Sequence, residues 1–217
     1  IRRMLNHNRS VNMEKLTDAM VEIREDDALE IVNERVKAGE DLLKIIEECR
    51  NAMVTIGEKF EVKEYFVPEL IMAAEIFREI MEIVEPKMQK GRRLETLGKV
   101  VIGTVQGDVH DIGKNIVVSM LKVNGFDAYD LGADVPPEEF VEKIKEVEPE
   151  VVGLSALMTS SWESMKKTVK AIKDAGLRKK VKIIVGGGIC SKEVADYVGA
   201  DAYGRYVTDA IAFCKEV

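Results

Sequence analysis

From Lys99 onward the chain alternates short apolar runs with amphipathic stretches, and that alternation leaves few folds open. The expected strands are Lys99–Thr104, Asp127–Asp130, Val151–Leu154, Val181–Val185 and a short Ala202–Tyr203. The segments between and after them read as helices: Gly113–Asn124, Pro137–Val147, Trp162–Ala175, Lys192–Val198 and Thr208–Glu216. Regular alternation of this kind means a parallel sheet with helices on both faces. Five strands suit the order 2-1-3-4-5, whose ligand crevice opens where strands 1 and 3 diverge.

The preceding part keeps a different period. From Met13 to about Pro86 the apolar residues recur at helical spacing, in Leu16 to Ile23, Leu29 to Val36, Leu42 to Ile56 and Leu70 to Val84. Four such helices are enough for a small bundle. The expected organisation is therefore a helical bundle over 13–90 and a flavodoxin-like, Rossmann-like α/β domain over 91–217. The polar, basic stretch from Pro86 to about Arg93 reads as a linker and a hinge. Ile1 to Asn12 is polar and basic without an apolar centre, and Met13 reads as a natural start.

Composition removes several function classes. The 217 residues are 46% hydrophobic and carry a net charge of −7 with scattered basic residues, which argues against nucleic-acid binding. Cys49, Cys190 and Cys214 show no close pairing, so neither a zinc cage nor a disulfide framework is indicated. No apolar run reaches the roughly 18 residues of a membrane span. A cytoplasmic protein with reduced thiols is the expectation.

The chemistry concentrates on one loop. The chain has two histidines, and His110 sits in Gly107-Asp108-Val109-His110-Asp111-Ile112-Gly113, directly after the first expected strand. An imidazole is thereby presented at the carboxyl end of a strand, and Asp108, two residues earlier, can hold it from behind. Strand 3 ends in Ser155-Ala156-Leu157-Met158-Thr159-Ser160-Ser161, strand 4 in Gly186-Gly187-Gly188 and strand 5 in Tyr203-Gly204. These loops fall on one edge of the sheet. Asp111 can bind a ligand or cap the helix that follows, and Thr159 to Ser161 read equally as an N-cap. Lys114 and Asn115 read as surface or packing groups.

The order Asp108-x-His110-x-x-Gly113, Ser155-x-Leu157, Gly186-Gly187 resembles the cobalamin-binding domain. The preceding helices, with Gly57, Phe60 and Phe66-Val67-Pro68-Glu69-Leu70, resemble its helical cap. The layout over residues 15 to 216 is similar to the small corrinoid proteins of methanogen and acetogen methyltransferase systems, and to the corresponding modules of cobalamin-dependent methionine synthase. Gly188 stands where many relatives carry alanine, and Val67 where they usually carry leucine.

That resemblance implies a cobalt-containing cofactor, cobalamin or a related corrinoid, with His110 as the lower metal ligand in place of the cofactor's own base. It gives Asp108 and Ser155 the role of a relay behind His110. It places the nucleotide tail among Gly113, Ser155, Thr159, Gly186, Gly187, Gly188 and Gly204, counts Gly107, Val109, Asp111, Ile112 and Leu157 among the cofactor-binding residues, and puts Phe60 and Val67 over the upper face. If one helix ran unbroken, Phe60 and Val67 would share a face; the alternative is a turn within Lys63 to Phe66. The implied activity is that of a methyl carrier, a subunit rather than a complete enzyme. Its partners would be a substrate-specific methyltransferase, a second methyltransferase with a pterin or thiol acceptor, and a reductive activase. The alternatives are the small subunit of an adenosylcobalamin-dependent mutase, a cobalamin-sensing regulator and a receiver of the same fold. The bundle disfavours the first. The want of a basic recognition face disfavours the second, and the want of clustered acids at the strand ends disfavours the third.

Overall fold

The computed structural model describes residues 15–88 and 96–217. The chain divides into two compact units, Ile1–Glu95 and Thr96–Val217. Met13 and most of the expected linker lie outside the described residues. The described start of that linker, Glu85–Lys87, is a 3-10 turn that continues directly from the last helix of the first unit.

The first unit contains α1 (Leu16–Val21), α2 (Glu25–Lys37), α3 (Leu42–Glu61) and α4 (Val67–Val84). On α3 the buried residues Ile45, Cys49, Ala52, Met53 and Ile56 repeat every three or four positions, and on α4 Leu70, Ala73, Phe77, Ile80 and Val84 do the same. Asp41 starts α3 by accepting from the Leu43 amide at 3.1 Å. The Glu69 carboxylate starts α4 by accepting from the Phe66 amide at 2.8 Å. Between them Lys63 adopts φ 64°, which ends α3. Phe60 and Val67 therefore stand on different helices rather than along one face. Met53 is core, whereas Phe66, Val67, Ile71 and Met72 of α4 and its entry remain exposed.

The second unit is the expected α/β sheet. Strands β1 (Lys99–Thr104), β2 (Asp127–Asp130), β3 (Val151–Ser155), β4 (Lys182–Gly186) and β5 (Ala202–Gly204) are all parallel, in the order 2-1-3-4-5. Helices α5 (Ile112–Val123), α6 (Pro137–Val147), α7 (Trp162–Asp174), α8 (Lys192–Val198) and α9 (Val207–Lys215) follow the strands in turn. Alternate strand residues Val101, Val152, Leu154, Ile183 and Val185 pack with Phe140, Ile144, Met165, Val169 and Ile172 into one core. The other face of the strands, including Val100, Ile102 and Ile184, is turned away from that cluster, toward α5 and α9.

The register aligns the carboxyl ends of four strands. Thr104, Ser155, Gly186 and Gly204 are paired side by side across β1, β3, β4 and β5. Lateral partners in a parallel sheet project to the same face. One row at the carboxyl edge is thus built entirely of small residues.

Candidate functional site

The His110 loop begins with a tight turn. The Asp108 amide donates to the Val105 carbonyl at 3.1 Å, with Gly107 at φ 85° in the third position. That conformation favours glycine, as in a type II turn. The chain then runs through Val109 and His110 to Asp111, the first residue before α5. Thr104, at the end of β1, donates its hydroxyl to the His110 carbonyl at 3.1 Å.

Asp108 is the hub. Its side chain is fully buried and its Oδ1 lies 2.8 Å from His110 Nδ1, while the His110 amide donates to the same oxygen at 3.0 Å. Its Oδ2 accepts from the Leu157 amide at 2.7 Å, the Met158 amide at 3.1 Å and the Ser161 hydroxyl at 3.1 Å. One carboxylate therefore ties the loop after β1 to the loop after β3. Burial alone would raise its pKa. The donors from Leu157, His110 and Met158 outweigh that and hold Asp108 well below the usual carboxylate range. The imidazole side chain is 48% exposed. With Nδ1 directed at an anionic acceptor, Nδ1 carries the proton and Nε2 keeps a free lone pair.

The hydroxyl that reaches Asp108 is Ser161's rather than Ser155's. Thr159–Ser161 form a 3-10 turn, and Ser161 precedes α7 without capping it through its side chain. Its hydroxyl is turned back onto Asp108 and is buried. No local pattern separates Ser161 from Thr159 and Ser160; the turn decides which hydroxyl points inward. Ser155 instead sits in the small-residue row, and Thr159 is exposed. Asp111 precedes α5 without capping it through its side chain either; its carboxylate accepts from Asn115 at 3.2 Å.

Lys114 is buried beside the loop, with Nζ between both Asp130 oxygens at 2.5 and 2.6 Å and Asn115 Oδ1 at 2.6 Å. Cys190 is buried with Sγ 3.2 Å from the Gly186 carbonyl; burial, with the Asp108 charge, pushes its thiol up to about 12, which favours the neutral thiol.

The glycines divide by cause. Gly187 has φ 112° and a Cβ there would lie 1.9 Å from the Ala156 carbonyl oxygen, so the protein's own backbone demands glycine. Gly188 is constrained only by the flexible tip of Leu157, at 3.0 Å, and a Cβ on Gly186 would make no more than ordinary contact with the Gly204 carbonyl oxygen at 3.5 Å. Gly113 is different again. It stands in the first turn of α5, and a Cβ on it would meet nothing within 4 Å. Glycine in a helix costs about 1 kcal/mol relative to alanine, and here neither backbone nor packing requires it.

Val109 and Ile112 are each 71% exposed, and Leu157 and Met158 are also exposed around the imidazole. An anchored imidazole with a free Nε2, apolar side chains around it, a row of small residues and open space over Gly113 fit a large, flat, metal-bearing ligand with a tail. Among the described residues no cluster of three or more histidines, cysteines or acids stands ready to hold a metal by itself. Phe60 and Val67 belong to the helical unit, where Phe60 is half-buried and Val67 exposed.

Fold and site together define a ligand-binding module that offers one imidazole at the switch point of a parallel sheet. Two family models cover most of the chain, each described as a B12 binding domain: one matches residues 98–212 and the other 13–85. Trimethylamine corrinoid protein 1 of Methanosarcina acetivorans is 43% identical over 206 residues, 94% of this chain and 95% of that protein. Dimethylamine corrinoid protein 2 of the same organism is 40% identical over 94% of this chain and 95% of that protein. Among solved structures, a cobalamin-binding protein from Desulfitobacterium hafniense matches with a TM-score of 0.80 and 36% identity, over 95% of this chain and 97% of that one. A chain of the methanol:cobalamin methyltransferase complex from Methanosarcina barkeri also reaches 0.80, at 29% identity, over 93% of this chain and 79% of that one. The chain belongs to the B12-binding corrinoid proteins, and its cofactor is cobalamin or a related corrinoid.

Proposed function

We propose that this chain is the methyl carrier of a methylamine-using methyltransferase system, with His110 Nε2 as the lower cobalt ligand. The bound corrinoid supplies a cobalt centre that accepts a methyl group from one methyltransferase and releases it to a second. The donor is a methylated amine. The observation that carries the reading is the Asp108–His110 pair at 2.8 Å, which fixes the imidazole tautomer that leaves Nε2 free. The identity of 39–43% to trimethylamine and dimethylamine corrinoid proteins over most of the chain supports the donor class.

The residues divide the work. Asp108 would orient the ring through its contact with Nδ1. Ser161 and the amides of Leu157 and Met158 hold Asp108 in place. Ser155, Gly186 and Gly204 in their row, with Gly113 opposite, leave room for the tail. Gly107, Val109, Asp111, Ile112, Leu157, Thr159, Gly187 and Gly188 shape the rim. The partners are a substrate-specific methyltransferase, a second methyltransferase with a pterin or thiol acceptor, and a reductive activase, all in the cytoplasm.

The full chain is reconstituted with hydroxocobalamin under reducing conditions and its absorption spectrum compared with that of His110→Ala. The proposal expects one corrinoid per chain and a lower-ligand spectrum that changes on substitution; identical spectra would remove His110 from the metal. Methylation is then assayed with trimethylamine, dimethylamine and methanol, each with its dedicated methyltransferase. Turnover with methanol alone would overturn the donor class.

A further inference from the structure

The loop between β2 and α6 touches the His110 loop at a point that the proposed chemistry does not use. Asp134 sits there with φ 56°, in the left-handed region. Its amide donates to the Asp108 carbonyl at 2.9 Å, and its Oδ1 accepts from the Gly107 amide at 2.7 Å. These two bonds grip the peptide units on either side of Gly107 Cα and Asp108 Cα, immediately before the lower-ligand histidine.

The platform behind Asp134 is rigid. The Leu131 amide donates to the Ile102 carbonyl at 2.9 Å, the Thr104 amide to the Gly132 carbonyl at 3.0 Å, and the Val135 amide to the Thr104 carbonyl at 3.0 Å. Asp130 accepts from the Gly132 amide at 2.8 Å while paired to buried Lys114. Asp108 is thus held twice, by its side chain to the loop after β3 and by its main chain to the loop after β2. Gly107 has the most conformational freedom in the turn, and only the Asp134 carboxylate occupies its amide. A glycine at 134 would adopt the left-handed conformation without strain and would still donate its amide to Asp108. The carboxylate therefore has a reason to be there beyond the turn.

We propose that Asp134 is a positioning residue for the lower metal ligand: through Gly107 and Asp108 it fixes where the His110 imidazole stands and so strengthens its hold on cobalt. The inference rests on the reading of His110 as that ligand.

The test uses the full chain labelled uniformly with nitrogen-15, loaded with natural-abundance hydroxocobalamin and reduced to Co(II). In the electron paramagnetic resonance spectrum a protein imidazole then splits the cobalt lines into doublets, whereas the cofactor's own base or added imidazole gives triplets. Titration with unlabelled imidazole converts doublet to triplet. Asp134→Gly is expected to lower the imidazole concentration at half-conversion by about three- to tenfold, the range for one partly exposed hydrogen bond to a charged acceptor. Asp134→Asn keeps an Oδ1 acceptor and is expected to recover most of the wild-type value. Melting of the cofactor-free variants should stay within a few degrees of wild type. A midpoint unchanged in Asp134→Gly overturns the inference, as does equal loss in both variants, or an Asp134→Gly chain that does not fold. A wild-type spectrum with no doublet overturns the reading of His110 itself, and a doublet that survives in His110→Ala does the same.

Discussion

The two units solve opposite problems. In the α/β unit the candidate site is organised around a buried charge that the protein itself satisfies: one carboxylate accepts five bonds from two loops. In the helical unit the exposed apolar side chains Phe66, Val67, Ile71 and Met72 project from a bundle whose core does not need them. A charge cannot be buried without its donors, so the first site is inseparable from the stability of its fold. Exposed apolar groups cost the fold little, so the second surface can be altered without penalty to the bundle.

The largest expected effect breaks the first site through backbone alone. Gly187→Ala should destabilise the α/β unit by more than about 3 kcal/mol, from overlap with Ala156 added to strain. Urea unfolding followed by Trp162, the single tryptophan and a member of this unit, measures it. An alanine variant as stable as wild type would show that the close approach is not real.

Next comes Asp108→Asn, expected to cost about 2 kcal/mol near neutral pH by placing an amide group among donors. The pH dependence sharpens it. Because the folded pKa of Asp108 is depressed, the anion's stabilisation is complete above about pH 5 and is lost as pH falls below the unfolded value of about 3.9. Wild type should therefore lose more stability than Asp108→Asn between pH 6 and pH 3. Parallel loss in both would mean that other carboxylates carry the acid limb.

Gly113→Ala has a smaller effect of opposite sign. Without cofactor it should stabilise by up to about 1 kcal/mol, because helix propensity improves and nothing is struck. Equilibrium dialysis should show corrinoid affinity falling roughly tenfold, a cost of about 1.4 kcal/mol. Unchanged affinity would free that space from the cofactor.

The smallest stability effect belongs to the helical unit. Ile71→Ser and Phe66→Ser should stay within about 0.5 kcal/mol of wild type by helical circular dichroism, whereas Leu70→Ala, one residue away and buried, should cost about 2–5 kcal/mol. Large losses at Phe66 or Ile71 would mean that the two surfaces obey one rule after all.

Much of this was legible before any coordinates. Strands β1 and β2 and helices α6 and α8 run as their periodicity predicts, and the sheet has the order 2-1-3-4-5 that five alternating strands suit. The Asp108–His110 contact was legible because two residues of separation at the end of a strand leave few alternatives. Ser161 was not, because three consecutive residues with hydroxyls look alike until a 3-10 turn chooses one. Asp134 was not, because its importance comes from a partner 27 positions away. The break between Phe60 and Val67 was legible as a turn within Lys63 to Phe66; that Lys63 is the left-handed residue was not.

The sequence by itself determined the periods, and with them two units, a parallel sheet and the edge on which the candidate site lies. Only the tertiary structure decided which donors satisfy the buried carboxylate, which glycine the backbone requires and which one leaves space. Periodicity is local and repeats, so a linear chain can display it. Hydrogen-bond satisfaction and close approach are pairings between distant segments, and they exist only once the chain has folded.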